Sequence, residues 1–287
     1  MTFSREKSSP SQDGPATARR PLVSIITPVL NGRTYLDVAI NSVINQTYQN
    51  VEYIVIDGGS TDGTVDIIRK YEDRISYWIS EPDGGLYDAL LKGFAVAKGD
   101  WIHWVNSDDF LMPWTVQAVI DHASITKSKW ITGTPAWFDA GGNMLMMGWN
   151  KWAPKWLIRI GAYHNRGVGF LQQESIFFSS DLVELMTESE IEQFRSLKLA
   201  GDYWLWRCFA KHISLKCMPL VIGGFRVTDN NMSVRLAKHY EREVERLNPP
   251  RKWIRMIRPI LFGVGVLLDI KEKIALWKIN KSKIRKF

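Results

Sequence analysis

Trp101-Ile102-His103-Trp104-Val105-Asn106-Ser107-Asp108-Asp109-Phe110 is an apolar run that stops at two adjacent carboxylates. Mostly apolar residues bounded by polar ones predict a buried sheet strand. Open α/β sheets place their ligands at the carboxyl ends of the strands, where Asp108 and Asp109 fall. Neighbouring acids repel one another unless a positive group holds them, and Mg²⁺, Mn²⁺ and Ca²⁺ favour such oxygen ligands. The alternative is a helix cap or a solvated turn, since Asp is a favoured N-cap. His103, inside the apolar run, reads as a core histidine with its hydrogen bond satisfied.

The chain before this stretch repeats one pattern. Leu22-Val23-Ser24-Ile25-Ile26-Thr27 is a β-branched run expected to end at Pro28, which cannot continue a ladder. Asn31-Gly32 marks a turn, and residues 35–44 carry helical apolar spacing. Val51-Glu52-Tyr53-Ile54-Val55-Ile56 predicts a second strand, followed by the glycine-rich Asp57-Gly58-Gly59-Ser60-Thr61-Asp62-Gly63-Thr64 and a helix. A shorter strand over 75–79 leads to Glu81-Pro82-Asp83-Gly84-Gly85 and a helix over 86–97, with Gly99 expected as its left-handed stop. Strands alternating with helices imply right-handed βαβ units and a mostly parallel central sheet flanked by helices, an α/β fold. Beyond Asp109 the pattern loosens. Strands are expected over 130–138 and 144–149 about the turn 140–143, then a short helix near Pro154, a strand over 172–178 and a helix over 200–210 entered through Asp202.

The full chain has 287 residues, 45% hydrophobic and 23% charged, the proportions of a globular protein. Two cysteines, Cys208 and Cys217, imply no disulfide framework and make a reduced, cytoplasmic setting the default. The formal charge of +7 raises nucleic acid as a partner, but its distribution argues against one. Residues 251–287 carry eleven Lys and Arg against Asp269 and Glu272, so the tail holds +9 and the preceding 250 residues sum to −2. Residues 1–20, rich in Ser, Pro and charge, are expected to be disordered and carry no signal-peptide core.

Taken in order, the motifs are more informative than any one alone. The run 23–31, then Asn45-Gln46-Thr47-Tyr48, then 56–64, 81–89, Asn106-Ser107-Asp108-Asp109, Gln173-Glu174-Ser175 and Gly201-Asp202-Tyr203 resemble the succession found in family 2 glycosyltransferases. The resemblance covers roughly residues 21–235. It implies a Rossmann-like GT-A fold with a nucleotide-sugar-binding half over 21–110 and an acceptor-binding half over 111–247. It further implies a UDP- or GDP-sugar as the donor, a divalent cation (Mn²⁺ or Mg²⁺) and inversion at the anomeric carbon. Mapped residue by residue, Thr27, Pro28, Asn31, Asp57, Gly59, Asp88, Asn106 and Ser107 fall at nucleotide-binding positions, and Asp83 and Asp109 near the donor sugar. Asp108, with Asp109, is the expected metal ligand, Asp202 the catalytic base, and Arg226 the cation left to meet diphosphate. Gln173, Glu174 and Trp204 fall on the acceptor side. The chain departs from its relatives at Gly58, Gly84, Leu91, Asn106 and Thr228, where they often carry Asp, Lys, Asn, Asp and His. Those departures keep open a second expectation, a non-catalytic nucleotide-sugar-binding or scaffold protein.

The basic tail has its own logic. On a helix over 252–261, Trp253, Ile254, Met256, Ile257, Ile260 and Leu261 share one face, with Lys252, Arg255 and Arg258 on the other. Such a segment reads as an interfacial membrane helix, or as a helix packed on the domain with its basic face in water. Trp149, Trp152 and Trp156 form either a second interfacial or sugar-stacking patch or ordinary core. The expected setting is peripheral, on the inner face of the cytoplasmic membrane of a bacterium that builds surface polysaccharide, with a saccharide acceptor carried on lipid.

Overall fold

The computed structural model describes residues 19–148, 153–164, 167–228 and 231–248, with a few isolated positions beyond. The N-terminal arm before residue 19, Trp149, Trp152 and nearly all of the basic tail lie outside the described residues.

Four parallel strands build the first half: β1 (Val23–Val29), β2 (Val51–Asp57), β3 (Tyr77–Ser80) and β4 (Trp101–Trp104). The helices α1 (Leu36–Ile44), α2 (Thr64–Lys70) and α3 (Leu86–Val96) connect them. The second half adds β5 (Phe110–Leu111), α4 (Thr115–Thr126), β6 (Trp130–Thr134), β7 (Ala136–Phe138), β8 (Met144–Met147) and α5 (Lys155–Arg159). It continues with β9 (Ile176–Ser179), α6 (Asp181–Glu184), α7 (Glu188–Ser196), α8 (Gly201–Phe209), β10 (Lys216–Val221), β11 (Gly223–Arg226), α9 (Met232–Arg235) and α10 (Ala237–Leu247). The main sheet has seven strands in the order β10-β6-β9-β4-β1-β2-β3, with β9 antiparallel to its neighbours β4 and β6. A second sheet, β5-β11-β7-β8, stands beyond the acidic loop.

Alternation along each strand sends successive side chains to opposite faces. Ile26, Ile54 and Ile56 pack against Leu90 and Phe94 of α3 and Trp206 and Phe209 of α8. Ile25 and Val55 face the other way, onto Leu36 and Ile40 of α1 and Val116 of α4. Both faces are covered, which is why these strands read as continuous apolar runs. Among the described residues no helix is long and apolar enough to cross a membrane.

The structure corrects several expectations. β1 runs through Pro28 to Val29, because β4 leaves the pairing opposite Ile26 and no ladder is needed on that side of Pro28. Pro135 separates β6 from β7 where one strand was expected. Residues 173–175 form a 3-10 turn ahead of β9, and β5, β10 and β11 had no counterpart in the sequence reading. Asp202 lies inside the first turn of α8, whose N-cap is Ala200. Gly99 is not a left-handed stop: α3 ends at Ala97 in extended conformation. It is required for close approach instead, since a Cβ there would lie 2.5 Å from the Ser24 backbone nitrogen. Gly99→Ala therefore lowers the unfolding free energy in urea by about 1–3 kcal/mol. Gly141→Ala, on the turn between β7 and β8 with its nearest atom at 3.3 Å, stays within about 0.5 kcal/mol of the parent.

Candidate active site

Because β1 to β4 are parallel, their carboxyl ends share one edge of the sheet, and the loops leaving that edge interlock. Asp57 ends β2 fully buried. Its Oδ2 accepts from the backbone N–H of Gly59 (3.2 Å) and Ser60 (3.0 Å) and from the Ser80 hydroxyl (2.6 Å), and its Oδ1 from the Ser60 hydroxyl. The carboxylate thus shapes the loop from inside. Asn31, held at φ 52°, donates its N–H to Ser60 Oγ at 2.7 Å and accepts from the Thr61 N–H at 3.0 Å. A Cβ at Gly32 would lie 2.8 Å from Ser107 Oγ, so the β1 loop also touches the loop after β4. Thr27 stays within the strand, buried, its hydroxyl accepting from Tyr53 at 3.0 Å.

The acidic loop is held from behind. Arg226 of β11 is 3% exposed, its guanidinium 4.8 Å from the Tyr35 ring centroid and 5.1 Å from that of Phe110. Its backbone N–H donates to Asp109 Oδ1 (2.9 Å), its Nε to the Asp108 carbonyl (2.9 Å) and one terminal nitrogen to the Ala140 carbonyl (2.9 Å). The side chain read as a diphosphate contact is therefore committed to the loop. Asp109 is turned inward and 1% exposed. Burial, then the charges of Asp108 and Glu174, hold its carboxyl well above the usual range. Asp108 accepts from Asn231 Nδ2 at 3.0 Å. Burial raises its carboxyl too, opposed by backbone and Asn231 hydrogen bonds and the charge of Arg226. The Asn106 amide nitrogen lies 3.4 Å from Asp109, and its oxygen is buried with no hydrogen-bond partner among the described residues.

The loop after β3 connects this edge to the base candidate. Asp83 accepts from the Gly85 N–H at 2.8 Å, and its Oδ2 occupies space that a Cβ at Gly58 would need, 2.9 Å away. The missing side chain at Gly58 is the room that Asp83 uses. Asp88 accepts from the Gly84 N–H at 3.0 Å and pairs with Arg195 of α7 at 3.2 Å, while Lys198 donates to the Gly84 carbonyl at 2.6 Å. An ammonium thus reaches the Gly84 turn from another part of the chain. Leu91, where relatives often carry Asn, is core.

Asp202 accepts from the Tyr203 N–H at 2.7 Å, and burial pushes its carboxyl up to about 6. The turn before it is pinned twice. The buried Glu243 carboxylate of α10 accepts from the N–H groups of Lys198 (3.0 Å), Leu199 (2.9 Å) and Ala200 (2.9 Å). Tyr87 of α3 donates to the Leu199 carbonyl at 2.8 Å. The helix carrying Asp202 is thereby tied to the loop carrying Asp83.

Other expected residues sit elsewhere. Glu174 is 1% exposed and faces Asp109 rather than an open acceptor side. Gln173 precedes it in the 3-10 turn, both its amide atoms buried without a hydrogen-bond partner among the described residues. Trp204 donates from its indole to the Glu190 carbonyl at 3.0 Å and packs toward α7. His103 is core: Nδ1 meets the Ile176 carbonyl at 2.8 Å, the ring stacks on Phe177 at 4.2 Å, and burial lowers its imidazole to about 4. The sequence reading missed Asn231 as the partner of Asp108, and Lys198, Arg195 and Glu243 as the ties to α8. No local pattern marks contacts between residues so far apart in the chain.

Among the described residues no group of three or more His, Cys, Asp or Glu side chains could hold a metal. What the loop offers is Asp108 and the unpartnered Asn106 oxygen. Such a sparse oxygen set fits Mg²⁺ or Mn²⁺, which bind through one or two carboxylates and complete their coordination with water and substrate phosphates.

Comparison with known proteins agrees with this geometry. The family model for glycosyl transferase family 2 matches residues 24–184, and the chain belongs to that family. An uncharacterised glycosyltransferase of Rickettsia bellii is 43% identical over 238 residues, covering 77% of this chain and 32% of that one. Another from Rickettsia typhi is 45% identical over 93 residues, 32% of this chain and 29% of its own length. The chain spans about a third or less of these relatives. Staphylococcus aureus TarS residues 1–349, solved with UDP-GlcNAc, superimposes with a TM-score of 0.60 at 17% identity, over 79% of this chain and 65% of that one. The mannosyltransferase PcManGT of Pyrobaculum calidifontis, solved with GDP-Man and Mn²⁺, gives 0.51 at 15% identity, over 96% and 86%. The fold is GT-A.

Arg226→Ala removes a buried guanidinium packed on Tyr35 and Phe110, with its donors to the Asp108 and Ala140 carbonyls, and is expected to lower the unfolding free energy by about 2–4 kcal/mol. A residue serving only diphosphate would leave the urea midpoint unchanged and weaken nucleotide-sugar binding alone.

Proposed function

We propose that this chain is an inverting, divalent-cation-dependent glycosyltransferase that moves a sugar from a nucleoside-diphosphate sugar to a hydroxyl of a saccharide acceptor. The observation that carries the reading is Asp202: a carboxyl raised to about 6 on a helix entered through a turn that is fastened to α3 and to the loop after β3. An acid poised near neutral pH suits a general base. Uridine or guanosine remains for experiment, since the solved neighbours carry UDP-GlcNAc in one case and GDP-Man in the other.

In the reaction, Asp202 takes the proton of the acceptor hydroxyl as that oxygen attacks the anomeric carbon from the face opposite the diphosphate. The bond from that carbon to the diphosphate oxygen breaks, the electron pair leaves with the nucleoside diphosphate, and the configuration inverts. Asp108, with the Asn106 oxygen, would hold the cation; when bound, it supplies Lewis-acid stabilisation of charge on the leaving diphosphate. Arg226 and Asn231 keep Asp108 in place. The backbone of 57–60 and Asn31 give the nucleoside a preformed edge, and Asp83 and Asp88 flank the donor sugar.

The placement we propose is peripheral, at the inner face of a bacterial cytoplasmic membrane, with a lipid-linked acceptor in surface-polysaccharide synthesis. Support comes from the +9 charge over 251–287 with Trp253 among its apolar residues, and from bacterial relatives. A second apolar surface is β8, where Met144, Leu145, Met146 and Met147 are each more than half exposed.

A thermal-shift screen of UDP-, GDP- and dTDP-sugars with and without Mn²⁺ identifies the donor, because a ligand of the folded state raises stability by mass action. With that donor, Asp202→Asn and Asp108→Ala each lower transfer by about 10²–10⁴-fold while the fold is kept. Full activity in either variant rejects the role given to that residue. Asp202 accepts a proton only when ionised, so transfer is expected to fall as pH drops through about 6 and to level off above it. Vesicles containing anionic lipid should retain the full chain and release a form lacking 251–287; equal retention of both refutes the tail as the membrane contact.

A further inference from the structure

Strand β8 departs from the pattern of the other strands. Met144, Leu145, Met146 and Met147 are all apolar and between 53% and 58% exposed. Neighbours on a strand point to opposite faces, so Met146 and Met147 leave both faces of β8 open. Its one partner strand among the described residues is β7, where Trp137 stands opposite Met146 and Ala136 opposite Met147. The hairpin is nonetheless closed. Asn143 donates its N–H (2.9 Å) and side-chain amide (3.0 Å) to the Asp139 carboxylate, and the Gly148 N–H donates to the Pro135 carbonyl at 2.8 Å. Four consecutive apolar side chains are thus held outward by a hydrogen-bonded scaffold. Edge strands that face water are blunted by charge, and residues 144–148 carry none.

The two open faces decide what covers them. A protein partner docks on one face or pairs along the edge, and leaves the other face wet. A layer of acyl chains surrounds an immersed strand on both. The unpaired backbone edge still needs oxygens or water, which sets the depth at the headgroup boundary rather than in the hydrocarbon core. Charge agrees: residues 148–159 hold Lys151, Lys155 and Arg159 with no acid, and three tryptophans, a composition suited to an anionic membrane interface.

We propose that the β7–β8 hairpin is a lipid-insertion element, with Met144–Met147 entering the interfacial layer of an anionic bilayer. Arg226 donates to the Ala140 carbonyl in the hairpin turn and to the Asp108 carbonyl in the acidic loop, so one guanidinium joins this contact to the candidate active site. The inference rests on the peripheral placement proposed above and adds an apolar contact to the basic tail. Neither contact alone is expected to hold the chain firmly, since stable anchoring takes two signals.

The test uses the full chain with Cys217→Ser, Cys208 being buried, and a nitrobenzoxadiazole label on Met146→Cys or Met147→Cys. Vesicles contain phosphatidylglycerol and phosphatidylcholine, with or without a spin label high on the acyl chain. Both labels are expected to shift to the blue and lose at least about half their emission to the spin label, whereas a label on Asp66→Cys of α2, far along the main sheet, does neither. Met146→Gln with Met147→Gln lowers vesicle affinity roughly five- to twentyfold at an unchanged melting temperature. Labels that stay unshifted on vesicles that retain the chain overturn the hairpin's role and leave the tail contact and glycosyl transfer standing. A shift at only one of the two positions, or a shift without lipid as protein concentration rises, assigns β8 to a protein partner or a second copy and likewise overturns it. A parent chain that no anionic vesicle retains rejects the membrane placement and this inference with it.

Discussion

A guanidinium buried between two aromatic rings keeps the acidic loop in shape. Arg226 joins the two sheets at the point where the main sheet hands its ligand edge to the second one. One strand residue binds an Asp109 carboxylate oxygen through its backbone and the Asp108 and Ala140 carbonyls through its side chain. A buried charge is tolerable only when its donors are matched, and these carbonyls accept from the guanidinium. The two acids are thereby divided. Asp109 is turned inward, and Asp108 remains the carboxylate that we propose for the cation.

The same economy holds around Asp202. Asp202 could not be placed by α8 alone, because a helix start frays when its N–H groups are unmatched. Glu243 matches three N–H groups just before it, and Tyr87 fixes the carbonyl of Leu199 from α3. Lys198 and Arg195 then reach back to the turn that carries Asp83 and Asp88. Attacking and leaving groups in the displacement we propose must lie in line, and these ties would hold that line between elements more than a hundred residues apart in sequence.

The first half of the fold was legible because each element there carries its own period and its own stop: β-branched runs of six residues, helical spacing, glycine-rich turns. The order of motifs led to the family. What the sequence did not carry was the use of each polar atom. Asp57, Thr27, Glu174 and Arg226 look like side chains available to a ligand, yet all four are buried and bonded within the protein. Exposure is a property of packing, not of residue type. Short strands such as β5 and the Gly-Gly start of β11 were invisible for the related reason that partners in the second sheet, not local propensity, make them strands. Glycines misled as well: Gly99 resembled a helix stop and is a contact point, whereas Gly58 resembled a lost acid and makes room for Asp83.

β8 is an edge strand on which every side chain is apolar and open to solvent, three of the four being methionine. Thioethers are oxidised in proportion to their exposure, and a sulfoxide is polar where the thioether was not. Under oxidative stress this strand would gain polarity residue by residue while the core kept its own. Whatever apolar surface it meets would be released by redox chemistry alone, with no change at Asp108 or Asp202.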